Sequence, residues 1–126
     1  MHPPHILVVD DDETIREVAQ MALEVVGGWR VTTVSSGGEA LRVAADTQPD
    51  AILLDVMMPV LDGPAILSEL QTDRQTREIP VVFLTAKVTP GREEEWEADG
   101  AVGTIAKPFD PMTLAEDVNR LLGREP

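Results

Sequence analysis

A chain of 126 residues is the size of a single domain, and with 43% hydrophobic but only 3% aromatic residues its core must be filled mainly by Val, Leu, Ile, Ala and Met. The absence of cysteine excludes disulfides, thiol catalysis and zinc-thiolate sites. A net charge of −13 repels polyanions and argues against direct nucleic-acid binding, while the apolar runs fall far short of the roughly 20 residues that cross a bilayer.

Met1 to His5 lacks the long apolar region of a secretory signal, so a soluble cytoplasmic protein is expected. Ile6 to Val9 is too apolar for a strand with one wet face and reads as a central strand covered on both sides. After Asp12, an N-cap candidate, Ile15, Val18, Ala19, Ala22 and Val26 recur at helical spacing, and Gly27 with Gly28 supply the stop. Arg30 to Val34 mixes Val with Thr and reads as an edge strand. Ser36 and Glu39 make a capping box ahead of Leu41, Ala44 and Ala45, and Pro49 closes that helix. Ala51 to Leu54 is a second central strand. Asp62, before Gly63 and Pro64, begins a helix carrying Ile66, Leu67 and Leu70. Val81 to Leu84 is a third central strand. Thr89 and Pro90 begin a fourth helix, whose Glu93, Glu94, Glu95 and Glu97 leave Trp96 as its main apolar anchor. Val102 to Ala106 is a weaker edge strand. Asp110 then caps a last helix with Pro111 at its first position and one stripe of Leu114, Val118, Leu121 and Leu122, ending at Gly123.

No repeat, low-complexity tract or linker interrupts this alternation, so residues 1–126 read as one α/β domain with its core over about 5–123. The strands form a parallel sheet, and right-handed crossovers put helices on both of its faces. Ligands in such sheets bind at the carboxyl ends of the strands. There the chain carries Asp10 and Asp11, Asp55, Thr85, and Lys107 followed by Pro108. Any one of these, alone, is explained as well by a turn or a cap. Three carboxylates, a hydroxyl and an ammonium at one end of one sheet form a chemical group. Clustered carboxylates repel, by roughly 1 to 4 kcal/mol at about 4 Å, and so recruit a proton or a cation. Magnesium suits them, since it prefers oxygen ligands and joins one or two carboxylates to a substrate's phosphate oxygens. A carboxylate such as Asp55 can then attack phosphorus and form an acyl phosphate. Lys107 and Thr85 would pair with phosphoryl oxygens.

The blocks ILVVDDD at Ile6 to Asp12, ILLDVMMPVLDG at Ile52 to Gly63, FLTA at Phe83 to Ala86 and AKPF at Ala106 to Phe109 resemble those of the response-regulator receiver family, the CheY-like domains of two-component signalling. The resemblance covers about residues 5–123 and implies a flavodoxin-like, five-stranded doubly wound sheet in the order 2-1-3-4-5. It implies that Asp55 accepts phosphate from a histidine kinase or phosphotransfer protein. It assigns magnesium to Asp11 and Asp55 directly, to Asp10 largely through water, and to the backbone carbonyl of Met57. Thr85 and Lys107 fall to the phosphoryl group, the Lys107–Pro108 bond is expected to be cis, and Met57 and Lys87 occupy positions that tune hydrolysis. One departure stands out. Where many members read GADDYLTKPF, this chain reads GAVGTIAKPF and places Thr104 at the aromatic position, so the usual switch lacks its ring.

The resulting expectation is a phosphorylation-controlled binding switch, not an enzyme in the ordinary sense, that presents its altered surface over about residues 89–123 to a downstream protein, a fused output domain or a second copy. Met57 is better explained by its backbone and Met58 by packing; Trp96 is explained at least as well by burial against the sheet as by contact with a partner. The run Glu93 to Glu97 reads as a solvated face, and His2 and His5 have no ligand partners in sequence. The alternative of a phosphohydrolase with an aspartyl-phosphate intermediate meets Met57 where a second Asp is needed. An EF-hand over Asp10, Asp11 and Asp12 lacks its glycine and terminal glutamate. A receiver segment of a longer transcriptional or enzymatic regulator would look the same.

Overall fold

The computed structural model describes residues 3–86 and 91–123. Five strands, β1 (His5–Val9), β2 (Arg30–Val34), β3 (Ala51–Asp55), β4 (Val81–Thr85) and β5 (Gly103–Ala106), pair in parallel in the order β2-β1-β3-β4-β5. They alternate with α1 (Glu13–Met21), α2 (Gly37–Thr47), α3 (Gly63–Thr72), α4 (Arg92–Ala98) and α5 (Leu114–Leu122). The short aliphatic runs dictate the arrangement. Every residue of β3 and β4 is buried, while the edge strands β2 and β5 keep exposed or half-buried positions. Successive side chains leave a strand on opposite faces, so each central strand feeds two cores. Leu7, Leu54 and Phe83 pack with Ile66, Leu70 and Trp96 on one face. Val8, Leu53 and Leu84 pack with Leu23, Leu114 and Val118 on the other. Thus α2, α3 and α4 cover one side of the sheet and α1 and α5 the other. Among the described residues no helix is long and apolar enough to cross a membrane.

The caps act as their sequences predict. Asp12 accepts from the amides of Thr14 and Ile15, Ser36 from Glu39, and Asp62 from Ala65. Two helices differ from expectation. A π-helical turn over Ala22–Val26 follows α1 before the left-handed Gly28, and its wider spacing leaves Val26 exposed while Leu23 is fully buried. The last helix starts at Leu114 rather than beside Pro111, because the Asp110 carboxylate accepts from the Met112 amide at 2.8 Å and holds residues 111–113 in a turn. The proposed helix start at Thr89 and Pro90 lies outside the described residues; α4 is observed from Arg92, after a left-handed Gly91.

Candidate functional site

The carboxyl ends of β1, β3, β4 and β5 converge, and with them the residues that close the aliphatic runs. Asp10 is fully buried at the end of β1, where its amide donates to the carbonyl of Val34 at 3.2 Å and its Oδ1 accepts from the amide of Asp12 at 2.9 Å. Arg16 Nη1 donates to the carbonyl of Asp10 at 2.8 Å and fixes the same turn from α1. Asp55 ends β3, buried, with a long 3.3 Å hydrogen bond from the amide of Met57. Thr85, also buried, ends β4, and its carbonyl accepts from the Lys107 amide at 2.8 Å, which carries the β4–β5 ladder through to the lysine. The Lys107–Pro108 bond is cis.

Lys107 reaches across the end of the sheet. Its Nζ lies 3.0 Å from Asp10 Oδ2 and 3.1 Å from Asp55 Oδ1, so the ammonium that the sequence suggests for phosphoryl oxygens here bridges two carboxylates. Burial, then the charge of Asp10, pushes the Asp55 carboxyl up to about 6, against the pull of Lys107 and the Met57 amide. Burial alone would lower the pKa of Lys107; its hydrogen bonds to Asp10 and Asp55 outweigh this and raise it. Asp11 is exposed at the rim, and Asp10, Asp11 and Asp55 each offer a carboxylate oxygen, all within 4.8 Å of one another. An all-oxygen donor set of this charge fits a hard divalent cation such as magnesium.

The loop after β3 is shaped by the site. A Cβ on Gly63 would come within 2.7 Å of the Asp55 carbonyl oxygen and 2.9 Å of Val56 Cα, so only glycine lets α3 start this close to the strand end. Val60, fully exposed, adopts φ 70°, a left-handed conformation that a β-branched residue rarely takes. Neither feature has a sequence signal of its own: Gly63 reads as part of a helix start and as the end of the block from Ile52, and no residue type marks Val60 for a positive φ. Met57 is 75% exposed, whereas Met58 is buried in the core, in keeping with packing. Trp96 is buried against Phe83, and most of the Glu93 to Glu97 run is exposed. His5 is absorbed by local structure, its Nε2 lying 2.8 Å from Thr32 Oγ1. His2 and Lys87 lie outside the described residues. A cavity of about 620 Å³ adjoins the site, bounded by Met57, Met58 and Pro64 on the β3–α3 side, by Thr85, and by Arg92 and Trp96 of α4.

Comparison with known proteins gives this geometry a context. The family model of the response regulator receiver domain matches residues 6–119. The response regulator Rre1 of Synechocystis is 35% identical over 123 residues, which cover 98% of this chain and 53% of Rre1. The protein PetR of Rhodobacter capsulatus is 40% identical over 125 residues, covering 98% of this chain and 51% of PetR. The chain therefore spans about half the length of the curated relatives it matches. Among solved structures, the chemotaxis protein CheY4 of Vibrio cholerae superposes with a TM-score of 0.88 at 34% identity, covering 94% of this chain and 98% of that one. The receiver domain of the sensor histidine kinase PA1611 from Pseudomonas aeruginosa, with a magnesium ion coordinated in its active site cleft, superposes at 0.84 and 34% identity over 96% of this chain and 98% of its own.

Proposed function

The chain belongs to the response regulator receiver family of two-component signalling, and from that premise we propose that Asp55 is its phosphoacceptor. The observation that carries the reading is the Lys107 ammonium seated on both Asp10 and Asp55, with Asp11 beside them, at the strand ends of a doubly wound sheet. A carboxylate oxygen of Asp55 attacks the phosphorus of a phosphohistidine on a kinase or phosphotransfer protein. The P–O bond forms as the P–N bond breaks, and the departing imidazole takes up a proton. Lys107 exchanges its carboxylate contact for a phosphoryl oxygen, and the Thr85 hydroxyl donates to another. Asp11 and Asp55, Asp10 through water and the carbonyl of Met57 would hold magnesium, whose charge offsets that of the carboxylates and the incoming phosphoryl oxygens.

The modified domain then changes its binding through the face made by α4, β5 and α5, toward a downstream protein, an attached output domain or a second copy, with the cytoplasm as the place of action. Residues 1–126 act in this reading as one receiver unit. Its turnover is that of a signal carrier, which supports its own phosphoryl transfer and hydrolysis; Met57 offers no acid where an aspartyl-phosphate phosphohydrolase needs one. Incubation with an acyl phosphate and magnesium, followed by intact mass measurement, tests the assignment. The parent is expected to gain one phosphoryl group and Asp55→Asn none. Equal modification of the two sinks it.

A further inference from the structure

The helix α4 is seven residues long and buries a single side chain, Trp96. Its N-cap, Gly91, contributes no side-chain hydrogen bond, so the helix is held to the sheet chiefly by that indole. Trp96 meets Phe83 edge to face, with ring centroids 5.1 Å apart and planes at 68°. Phe83 lies two residues before Thr85 on β4 and so projects from the same face of the sheet. The positions of β5 in register with Phe83 and Thr85 are Thr104 and Ala106, which bring no ring to this face. From the helix side the Arg92 guanidinium lies 5.6 Å from the Trp96 ring centroid and ties the first turn of α4 to the same indole. The cavity of about 620 Å³ has Thr85 on one wall and Arg92 with Trp96 on another, so the strand end and the helix anchor border the same open space.

We infer that Trp96 is the ring that couples the Asp55 site to the position of α4, a task that Thr104 cannot perform. A phosphoryl group on Asp55 draws the Thr85 hydroxyl toward its oxygens. Interiors are close-packed and transmit strain; Phe83, on the same strand and face as Thr85, passes the movement to Trp96 through their edge-to-face contact, and α4 moves with the side chain it buries. Trp96 is a positioning residue in this account and touches no reacting atom. The inference rests on phosphoryl acceptance at Asp55.

The chain contains two tryptophans, so Trp29→Phe leaves Trp96 as the sole indole reporter. Magnesium with beryllofluoride, an acyl-phosphate mimic, is titrated into this variant. Fluorine NMR reads loading, and indole emission reads Trp96. A shift in emission that saturates together with loading is expected. Hydrogen exchange over α4 is then compared with and without the mimic. Trp96→Leu is expected to load yet lose the loading-dependent change in α4 protection, and Trp96→Phe to retain it. Unchanged emission at full loading, or a full α4 response in Trp96→Leu, overturns the inference. Failure of the Trp29→Phe chain and of the parent to load overturns the reading of Asp55, and the coupling falls with it.

Discussion

The ammonium of Lys107 lies 3.1 Å from the carboxylate of Asp55, although the two residues are 52 positions apart and stand at the ends of strands separated by β4. With Asp10 3.0 Å away, the same ammonium is the counter-charge of a buried acidic pair. Lys107 here offsets the charge of the two buried carboxylates.

Breaking a buried ion pair from one side costs about 3 to 5 kcal/mol, and the partial exposure of Lys107 puts Lys107→Met near the bottom of that range. Urea unfolding at neutral pH should show the loss. Magnesium should recover part of it, because a cation again faces Asp10 and Asp55; a variant as stable as the parent without magnesium would contradict the neutralising role.

Asp55 carries the opposite sign of linkage from a salt-bridged surface carboxylate. Its folded pKa is about 6 against an ordinary 3.8, so the folded state binds the proton more tightly and the group's contribution to stability falls as pH rises through that window. At about 1.4 kcal/mol per unit, Asp55→Asn should exceed the parent by up to about 3 kcal/mol near pH 7.5. The advantage should vanish below about pH 4. Denaturation across this range, without divalent cations, is the check.

If Asp55 holds magnesium as proposed, protons compete with the metal for its carboxylate. Calorimetric affinity of the parent for magnesium should be flat above about pH 7 and weaken as pH falls through 6, approaching roughly tenfold per unit once Asp55 is mostly protonated. Affinity that is constant from neutral pH to pH 5 would remove Asp55 from the metal site.

Gly63→Ala must push a methyl group into the Asp55 carbonyl and the Val56 backbone, at 2.7 and 2.9 Å. A loss of about 1 to 3 kcal/mol is expected, with slower phosphorylation by a small donor. Gly38→Ala on α2, where an added Cβ meets nothing within 4 Å, is the control and should gain about 0.5 to 1 kcal/mol.

Val60→Asn should raise stability by about 1 kcal/mol, since asparagine tolerates φ 70° and the exposed valine gives up no packing. A lowered melting temperature would show that the valine side chain is held by something other than strain.

Much of this was legible in the residues. Strands are set by runs such as Ala51 to Leu54 that no half-wet surface tolerates, and helix starts by Asp12, Ser36 and Asp62, whose capping is local chemistry. The site followed because strand ends in a doubly wound sheet share one edge. What escaped depends on distances that spacing does not encode. The π-helical turn over Ala22–Val26 replaces one hydrogen-bond register by another with no compositional mark, and it turned Val26 outward. Pro111 fits a first helical turn as well as an ordinary one, and the Asp110 carboxylate decided between them. The charge of Lys107 was evident, whereas its use against Asp10 and Asp55 depends on how far its side chain extends across β4.

Asp10 and Lys107 are 97 positions apart, and their contact exists only when β5, the last strand, has joined a sheet whose first strand supplied the aspartate. A chain that has not completed its topology leaves Asp10 and Asp55 without their ammonium, so the charges around Asp55 are assembled only in the finished sheet.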